Sequence, residues 1–441
     1  MSSRIKINNI IEPFNKILEI EGDKSLSIRF ALLASQSDKK SKATNLLKSE
    51  DVLSTLNCLR KLGVKIKFKK KICEINGLGL NGYKYKKNIT LNAGNSGTLA
   101  RLIMGLLIHT KNEIKIIGDK SLSKRDFYRI TKPLNKFGAK FKTNSGKLPI
   151  IIKGTDFPKS IKYVESKGSA QIKSSIMLAA LNTNGKTIIK AKKSRNHSEL
   201  IFKHLKLPIK IKKTKNFDII EIEGKKTIKP LNYNIPSDIS SSAFFIVLTL
   251  LSKNSKLVIK NINVNETRTG IIDILKKMNG KIFLKNKRYY KGEKVADIHV
   301  KSSNKLKSIN CPKEINSRLI DELPLIFLVC AKAKGISKFE NLDELRHKES
   351  DRLKLSSKFL NMLGIINEIN INSFKIKGNP NLLLSKNFTV KDFFKDHRIF
   401  MLSCIAALTL GGMWKIHDKN SVNTSFPNFL KTLKKLGGKF K

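Results

Sequence analysis

Six segments of the chain share a pattern in which a small or acidic polar residue opens a helix-length run of apolar residues. Polar residues of this kind are typical of helix N-caps, and runs that are apolar on every side are typical of buried helices. Successive starts are about 75 residues apart, which indicates six repeats of one structural unit. The six segments begin at Ser25, Asn95, Ser169, Asp238, Asp321 and Asp396.

A second motif lies between these segments and has a Gly or Asn stop followed by a strand-like stretch, as in residues 59–66, 134–141 and 433–440. This pattern predicts an amphipathic helix that ends at the stop and leads into a strand. Six such repeats predict an α/β protein, and 441 residues exceed the ~250–300 that one core usually holds. We therefore expect two domains of three repeats, formed by residues 22–232 and by residues 1–21 with 233–441.

The chain carries a formal net charge of +54, with 88 basic residues of which 13 are arginine. The basic residues are spread along the chain, which is typical of solvated surfaces and gives a field that attracts anions. A nucleic-acid-binding protein remains an alternative, but it predicts aromatic residues interleaved with basic ones, and the aromatic residues lie mainly in apolar segments. Because lysine cannot replace the planar guanidinium fork, each arginine is a candidate anion ligand.

Three absences in the sequence bear on where the protein works. The longest apolar run falls well short of the ~18 residues of a membrane span. The N-terminus has no apolar signal region, and the five cysteines form no C-x-x-C pair. We therefore expect a soluble cytoplasmic protein that does not bind membranes.

Two motifs suggest chemistry. The stretch from Gly22 to Arg29 contains a Lys-Ser pair at a helix start, as phosphate-binding loops do, but the glycine spacing of a nucleotide-hydrolysing loop is absent. The charged stretch from Arg346 to Arg352 is either a solvated helix start or an acid–base and anion cluster, and Asp321 is a candidate proton acceptor or donor. No zinc-like spacing occurs, so we expect no metal.

Ten motifs in order along the chain resemble the EPSP synthase family of enolpyruvyl transferases. The resemblance implies a two-domain α/β fold in which each domain holds three βαβαββ-type repeats around buried helices, an inside-out α/β barrel, with the active site in the interdomain cleft. The motifs are Gly22-Asp-Lys-Ser with Arg29; Asn95-Ser-Gly-Thr with Arg101; Ser123-Lys-Arg125; residues 169–174, 194–198 and 236–243; Asp321-Glu-Leu-Pro; residues 345–352; Asp396-His-Arg398; and Ser425-Phe-Pro427.

The family's reaction, as the resemblance implies it, moves the enolpyruvyl group of phosphoenolpyruvate to the 5-hydroxyl of shikimate 3-phosphate. It proceeds by addition and then elimination of phosphate, on the shikimate pathway to chorismate and the aromatic amino acids. The resemblance also implies a monomer whose partners are these two small substrates, with no cofactor, no metal and no nucleic acid.

The resemblance assigns roles to individual residues. Catalytic roles fall to Lys24, Asp321, Lys348 and Glu349, with Asp321 deprotonating the hydroxyl. Shikimate 3-phosphate is expected to contact Lys24, Ser25, Arg29, Ser169, Ala170, Gln171, Ser194, Arg195, Asp321 and Lys348. Phosphoenolpyruvate is expected to contact Lys24, Asn95, Gly97, Arg125, Gln171, Arg352 and Arg398.

The chain departs from the family pattern at three positions, and one sister enzyme remains an alternative. Glu21 and Asp126 stand where the family often has proline, and Thr424 stands where one branch has lysine. Asp126 puts an acid beside the expected phosphoenolpyruvate ligand Arg125. The alternative is the UDP-N-acetylglucosamine enolpyruvyl transferase, which shares the fold but typically carries a catalytic cysteine near this arginine. Residues 118–129 contain no cysteine.

Overall fold

A computed structural model describes residues 3–393 and 395–441, and the chain divides into two compact units. The unit that we name the first consists of Glu21–Pro236 and Tyr289–Glu293. The second consists of Met1–Ile20, Ser237–Arg288 and Lys294–Lys441. The short segment Tyr289–Glu293, which the sequence does not single out, therefore belongs to the first unit although the chain on both sides of it belongs to the second.

Helices supply the interior of each unit, and their bounds follow the chain order. They are α1 (Lys24–Ser35), α2 (Glu50–Lys61), α3 (Gly97–Leu106), α4 (Tyr128–Asn135), α5 (Ala170–Leu181), α6 (His197–His204), α7 (Ile239–Leu251), α8 (Gly270–Lys277), α9 (Asn316–Leu319), α10 (Leu323–Ala331), α11 (Asp343–Arg346), α12 (Arg352–Met362), α13 (His397–Leu410) and α14 (Phe429–Lys435). Short 3-10 turns cover Leu122–Lys124, Lys313–Ile315 and Lys419–Thr424.

Strands form six small sheets. They are β1 (Arg4–Ile7), β2 (Asn15–Glu19), β3 (Lys40–Thr44), β4 (Lys65–Lys69), β5 (Ile72–Asn76), β6 (Ile89–Asn92), β7 (Ile114–Ile117), β8 (Lys140–Asn144), β9 (Lys147–Lys153), β10 (Lys162–Glu165), β11 (Lys186–Lys192), β12 (Ile209–Lys213), β13 (Phe217–Glu223), β14 (Asn232–Asn234), β15 (Lys256–Asn263), β16 (Lys281–Tyr290), β17 (Glu293–Lys301), β18 (Ile336–Phe339), β19 (Asn367–Ile369), β20 (Phe374–Lys377), β21 (Leu384–Val390) and β22 (Gly411–His417).

The repeat is clearest in two sheets of the first unit, with strand orders β6-β7-β9-β8 and β10-β11-β13-β12. In each, the first two strands are parallel and joined by a buried helix, and the other pairs are antiparallel. The chain order is therefore β-α-β-α-β-β, with the amphipathic helix α4 or α6 after the second strand. This confirms the predicted repeat and the α/β fold class.

The remaining repeats borrow a strand from elsewhere in the chain or lack one. In the first unit, β14 pairs in parallel with β3 and so completes the sheet β14-β3-β5-β4. In the second unit, β2 pairs in parallel with β15 in the sheet β16-β17-β15-β2, and β1 pairs with β22. In the sheet β18-β20-β19, isolated parallel bridges at Lys307 and Asn310 take the place of the first strand of the repeat.

The six apolar segments form six buried helices, as the sequence predicts. In the first unit α1, α3 and α5 pack together, and in the second α7, α10 and α13 do so. Helices α3 and α5 approach closely at Gly105, where an added Cβ would lie 2.2 Å from the carbonyl oxygen of Ser175. Every residue of α10 is buried. Because these helices have no solvated face, their polar N-termini are the places where charged side chains can gather.

Candidate active site

The N-termini of the buried helices carry side-chain caps. Asp23, Ser96, Ser169, Asp238 and Asp396 each accept a hydrogen bond from a backbone N–H in the first turn of α1, α3, α5, α7 and α13. Helix α10 differs, because Glu322 at its N-cap makes no such bond and Pro324 lies in its first turn. Since most helix ends already have acceptors, anion binding here depends on the side chains described below rather than on the helix dipole alone.

Lys24 is the first residue of α1 and lies at the edge of the first unit's candidate site. Its Nζ lies 2.8 Å from Oδ2 of Asp51, and its side chain is 25% exposed. Asp51 belongs to the first turn of α2, and no sequence motif singles it out. The ion pair holds the ammonium group of Lys24 at the start of α1.

Arg29 lies one turn along α1 and is buried. Its Nε donates to Oγ of Ser198 at 2.9 Å, and its Nη2 donates to Oγ of Ser174 at 3.2 Å. The two serine hydroxyls are 2.7 Å apart, and Nη1 donates to the carbonyl of Ser25. These hydroxyl and carbonyl oxygens fix the orientation of the guanidinium.

Arg101 and Gln171 join α3 to α5. Nη1 of Arg101 donates to Oε1 of Gln171 at 2.9 Å, and Nε2 of Gln171 donates to Oγ1 of Thr98 at 3.2 Å. The guanidinium also lies over the ring of Phe127, with 5.0 Å between Cζ and the ring centroid. Gln171 is thereby held by two neighbours at the start of α5.

Gly97, the first residue of α3, lies against two arginines. A Cβ added to it would lie 2.7 Å from Nη1 of Arg101 and 3.1 Å from Nη1 of Arg125. Arg125 is thus next to Gly97. The neighbouring Asp126 directs Oδ1 to the backbone N–H of Tyr128 at 2.7 Å, so its carboxylate is engaged at the start of α4.

Carboxylates fix the loops that precede α3 and α5. Asn95 donates from Nδ2 to Oδ2 of Asp119 at 2.6 Å, which fixes the loop before α3. Before α5, the buried Glu165 accepts the backbone N–H groups of Lys167 at 2.9 Å and Ser169 at 3.1 Å. Burial raises the pKa of Glu165, although these N–H groups act in the opposite direction. Glu165 and Asp119 are further positioning residues that the sequence did not reveal.

Of the other predicted ligands in this unit, Ala170 is the first residue of α5, and Ser194 and Arg195 lie in the loop that ends at α6. Ser194, Arg195 and Ala170 are all half-buried. We name Lys24, Arg29, Arg101, Arg125, Gln171 and Ser198 the first cluster.

Arg352, the first residue of α12, is the centre of a network in the second unit. Its Nε donates to Oδ2 of Asp396 at 2.9 Å, and its Nη2 donates to Oε2 of Glu349. Its Nη1 lies 3.6 Å from Oδ1 of Asp321. Burial alone would lower the pKa of Arg352, but Asp396, Glu349 and Asp321 raise it above its usual range. Burial would raise the pKa of Asp396, but the charge of Arg352 keeps that pKa below its usual range.

Asp321 lies two residues before α10 and faces two cations. Its Oδ1 is 3.6 Å from Nζ of Lys348 and 3.6 Å from Nη1 of Arg352, and its side chain is 16% exposed. Lys348 lies 3.5 Å from Glu344 as well. The predicted acid–base residues Asp321, Lys348 and Glu349 are therefore brought together around Arg352. We name Asp321, Lys348, Glu349, Arg352, Asp396 and Arg398 the second cluster.

Arg398 connects this cluster to a buried polar chain. Its Nη1 lies 3.7 Å from Oε1 of the fully buried Glu322, whose Oε1 accepts from Oγ of Ser240 at 2.5 Å. Nη2 of Arg268 donates to the same Ser240 at 2.7 Å and lies 3.4 Å from Asp238. The helix start at Asp238, which gave no ligand by resemblance, is thus linked to a predicted ligand.

The ordinary titration of His397, Cys58 and Cys73 is shifted away from neutral pH. Burial lowers the pKa of His397 to about 3, so the ring is neutral. Burial raises the pKa of the thiols of Cys58 to about 12 and of Cys73 to about 11, and all five cysteines are buried and free. A thiol of this kind is a poor nucleophile because the thiolate is the reactive form.

Residues 3–393 and 395–441 contain no helix with the length and apolar character of a membrane span. They also contain no group of three or more His, Cys, Asp or Glu side chains placed to hold a metal ion.

Chemically, the two clusters differ. The first offers several cations and neutral hydrogen-bond donors, which suits phosphate and carboxylate groups. The second offers three carboxylates, an ammonium group and two guanidinium groups, which suits proton transfer beside an anion.

Comparison with known proteins gives one consistent result. The family described as EPSP synthase (3-phosphoshikimate 1-carboxyvinyltransferase) matches residues 8–433. A 3-phosphoshikimate 1-carboxyvinyltransferase of Ruthia magnifica is 40% identical over 432 residues, which cover 97% of each chain. One of Endomicrobium trichonymphae is 37% identical over 435 residues, covering 98% of this chain and 99% of the other.

Solved structures agree with these matches. EPSP synthase from Acinetobacter baumannii superposes with a TM-score of 0.87 at 33% identity, over 99% of each chain. The enolpyruvyl transferase NikO from Streptomyces tendae, at 13% identity and a TM-score of 0.77, shares the fold. With the sequence match spanning nearly all of the six repeats and both clusters, the chain belongs to the EPSP synthase (3-phosphoshikimate 1-carboxyvinyltransferase) family.

Proposed function

We propose that this chain transfers the enolpyruvyl group of phosphoenolpyruvate to the 5-hydroxyl of shikimate 3-phosphate and releases phosphate. The family supplies the reaction, and the two clusters supply the groups that it needs. The observation that carries the proposal is Asp321, a carboxylate 3.6 Å from each of two cations in a family whose reaction begins by deprotonating a hydroxyl.

Shikimate 3-phosphate is assigned mainly to the first cluster. Arg29, which Ser198 and Ser174 orient, supplies a guanidinium for the phosphate group. Lys24 adds a second cation. The other contacts in this assignment are Ser25, Ser169, Ala170, Gln171, Ser194 and Arg195, with Asp321 and Lys348 at the reacting hydroxyl.

Phosphoenolpyruvate is assigned to residues of both clusters. Arg125 supplies one cation for it. Because Gly97 has no side chain, the guanidinium of Arg125 can lie beside it. Arg398 and Arg352 supply two more, and Arg352 keeps its charge because three carboxylates surround it. The remaining contacts are Lys24, Asn95 and Gln171.

The chemistry follows from these positions. Asp321 accepts the proton of the 5-hydroxyl as its oxygen adds to C2 of phosphoenolpyruvate. The methylene carbon C3 takes a proton in the same addition, with Lys24, Lys348 and Glu349 in proton transfer. The tetrahedral intermediate then loses phosphate, and C3 returns a proton. Positioned groups of this kind contribute roughly 10²–10⁴-fold to the rate, and the cations stabilise the developing negative charge.

The sister reaction on UDP-N-acetylglucosamine is disfavoured. Its enzymes typically use a cysteine near the arginine of the second repeat, and residues 118–129 contain none. The two cysteines nearest in sequence, Cys58 and Cys73, are buried with raised pKa values.

The proposal extends to the setting of the enzyme. We place it in the cytoplasm as a monomer that needs no cofactor, and its five free cysteines suit a reducing compartment. Light scattering on a size-exclusion column tests the monomer, since a mass of twice 49.8 kDa would refute it.

Product identification tests the proposed reaction. The purified chain is incubated with phosphoenolpyruvate and shikimate 3-phosphate, and the mixture is followed by proton and phosphorus NMR. We expect vinyl protons of a new enol ether on the 5-oxygen and one free phosphate per product. A parallel incubation replaces shikimate 3-phosphate with UDP-N-acetylglucosamine. An enol ether that forms only in that incubation would refute the proposed reaction and establish the sister reaction.

A further inference from the structure

A buried pair of titratable groups outside both clusters joins α6 to the turn between β16 and β17. Nδ1 of His197 lies 2.6 Å from Oε1 of Glu293, and each residue is 1% exposed. Whether the ring is neutral or charged, Nδ1–H donates and the carboxylate accepts. A buried carboxylate needs such a partner, and the contact in turn fixes the orientation of the ring.

Glu293 is held firmly by the segment that carries it, Tyr289–Glu293 of the first unit. The ring of Tyr290 stacks on that of Tyr233, with 5.8 Å between centroids, and its hydroxyl accepts the backbone N–H of Asn234 at 2.9 Å. At Gly292, with φ of +87°, an added Cβ would lie 2.9 Å from the carbonyl oxygen of Leu200 in α6. The turn therefore packs directly on the helix that starts at His197.

The start of α6 determines how the first cluster is built. His197 is the first residue of α6 and Ser198 is the second. Ser198 is the acceptor for Nε of Arg29 at 2.9 Å and lies 2.7 Å from Ser174, the other serine that holds this guanidinium. A shift of the α6 start would move Ser198 and release one side of Arg29.

We propose that Glu293 is a positioning residue for Arg29, acting through His197 and Ser198, and that it sets the affinity for the phosphate of shikimate 3-phosphate. This inference rests on the proposed function, because it takes Arg29 as a ligand of that phosphate. The five-residue segment Tyr289–Glu293 thereby contributes to the site without touching the substrate.

Steady-state kinetics of Glu293→Ala tests the inference. We expect KM for shikimate 3-phosphate to rise about tenfold, the factor that the loss of one buried hydrogen bond produces. KM for phosphoenolpyruvate and kcat should stay within about twofold of the wild-type values. The contact between Glu293 and His197 does not position Arg125, Arg352 or Asp321. A loss of folded protein alone would lower the rate per total protein and leave KM unchanged.

Two further variants control the experiment. Lys291→Ala removes the bond from Nζ to the carbonyl of Asn232 in the same turn and leaves His197 and Glu293 in place. It should show wild-type KM for both substrates. Glu293→Gln keeps a hydrogen-bond acceptor and should restore most of the affinity.

The outcomes separate this inference from the proposed function. If the wild type does not turn over shikimate 3-phosphate, the proposed function is wrong. If the wild type is active and Glu293→Ala has unchanged KM for shikimate 3-phosphate, the positioning role is wrong. If Glu293→Ala does not fold, Glu293→Asp replaces it in the experiment, because its carboxylate is withdrawn from His197 by one methylene group. A wild-type KM in that variant would also overturn the inference.

Discussion

The two units arrange their charges differently. In the first unit Arg29 donates to serine hydroxyls and Arg101 donates to an amide oxygen. In the second unit Arg352 is enclosed by Asp396, Glu349 and Asp321. Hydroxyl and amide oxygens orient a guanidinium without adding a negative charge, whereas carboxylates around an arginine shift each other's protonation equilibria. The proposed function accordingly places substrate phosphate binding mainly in the first unit and proton transfer mainly in the second.

Removing the carboxylate of Asp321 should have the largest effect. We expect Asp321→Asn to lower kcat by roughly 10²–10⁴-fold, because the group proposed to take the hydroxyl proton is lost. Both KM values should stay within about threefold. Steady-state phosphate release measures this, with Glu344→Gln as the matched control, since Glu344 also neighbours Lys348 but its side chain is 62% exposed. A wild-type kcat in Asp321→Asn would refute the division between the units.

The buried charge network of the second unit should show in its stability. Asp396→Asn should lower the free energy of unfolding at pH 7 by about 3–5 kcal/mol, because it leaves Arg352 buried beside one charge fewer. The sequence contains one tryptophan, Trp414, which is buried in this unit against Phe388, so denaturation followed by its fluorescence reports on the second unit.

The pH dependence of that difference sharpens the test. A carboxyl group whose folded-state pKa is lowered stabilises the fold above its unfolded pKa, near 3.9, and loses this contribution as pH falls through the folded value. The difference between wild type and Asp396→Asn should thus be full at pH 7 and shrink below about pH 4. The control is Asp351→Asn, a helix cap paired with Arg346 near the surface, which should cost about 1 kcal/mol or less. Equal losses in both variants would contradict this account.

Much of this architecture is readable from the sequence, because each helix start and each apolar run is local. Because arginine is scarce, each arginine is a candidate anion ligand, and the resemblance then selects Arg29, Arg125, Arg352 and Arg398. The side chains that contact these arginines could not be predicted, because they are distant in sequence. Ser198, for example, lies 169 residues from Arg29. Similarly, nothing in the local pattern around Glu293 shows that its carboxylate meets His197 in another repeat.

Helix α10 shows how a local pattern can mislead in detail. The sequence placed its start at Asp321, but the helix begins at Leu323 and Glu322 is the N-cap residue. Pro324 in the first turn has no N–H to offer to a cap, which suits a start without a side-chain cap bond. Asp321 therefore remains outside the helix and reaches Lys348 and Arg352 instead.

A side chain at Gly97 should weaken phosphoenolpyruvate binding in the first unit. Gly97→Ala places a methyl group 2.7 Å from Nη1 of Arg101 and 3.1 Å from Nη1 of Arg125, so both guanidinium groups must move. We expect KM for phosphoenolpyruvate to rise about tenfold. KM for shikimate 3-phosphate serves as the internal control and should stay unchanged. A rise in that KM alone would place Gly97 in the other substrate's site.

Neutralising Asp126 should have the smallest effect. Although it follows Arg125, it is exposed and bonds the backbone N–H of Tyr128. Asp126→Asn should therefore change KM for phosphoenolpyruvate by about twofold or less, as expected for an exposed charge screened by water. A tenfold fall in that KM would show that the acid opposes the substrate's charge at the site.

Phosphate release from phosphoenolpyruvate by the wild-type chain, measured with shikimate 3-phosphate, with UDP-N-acetylglucosamine and with neither acceptor, tests the central claim most directly. The account predicts release with shikimate 3-phosphate alone, since the proposed reaction uses its 5-hydroxyl as the acceptor. Release with UDP-N-acetylglucosamine, or none with shikimate 3-phosphate, would contradict it.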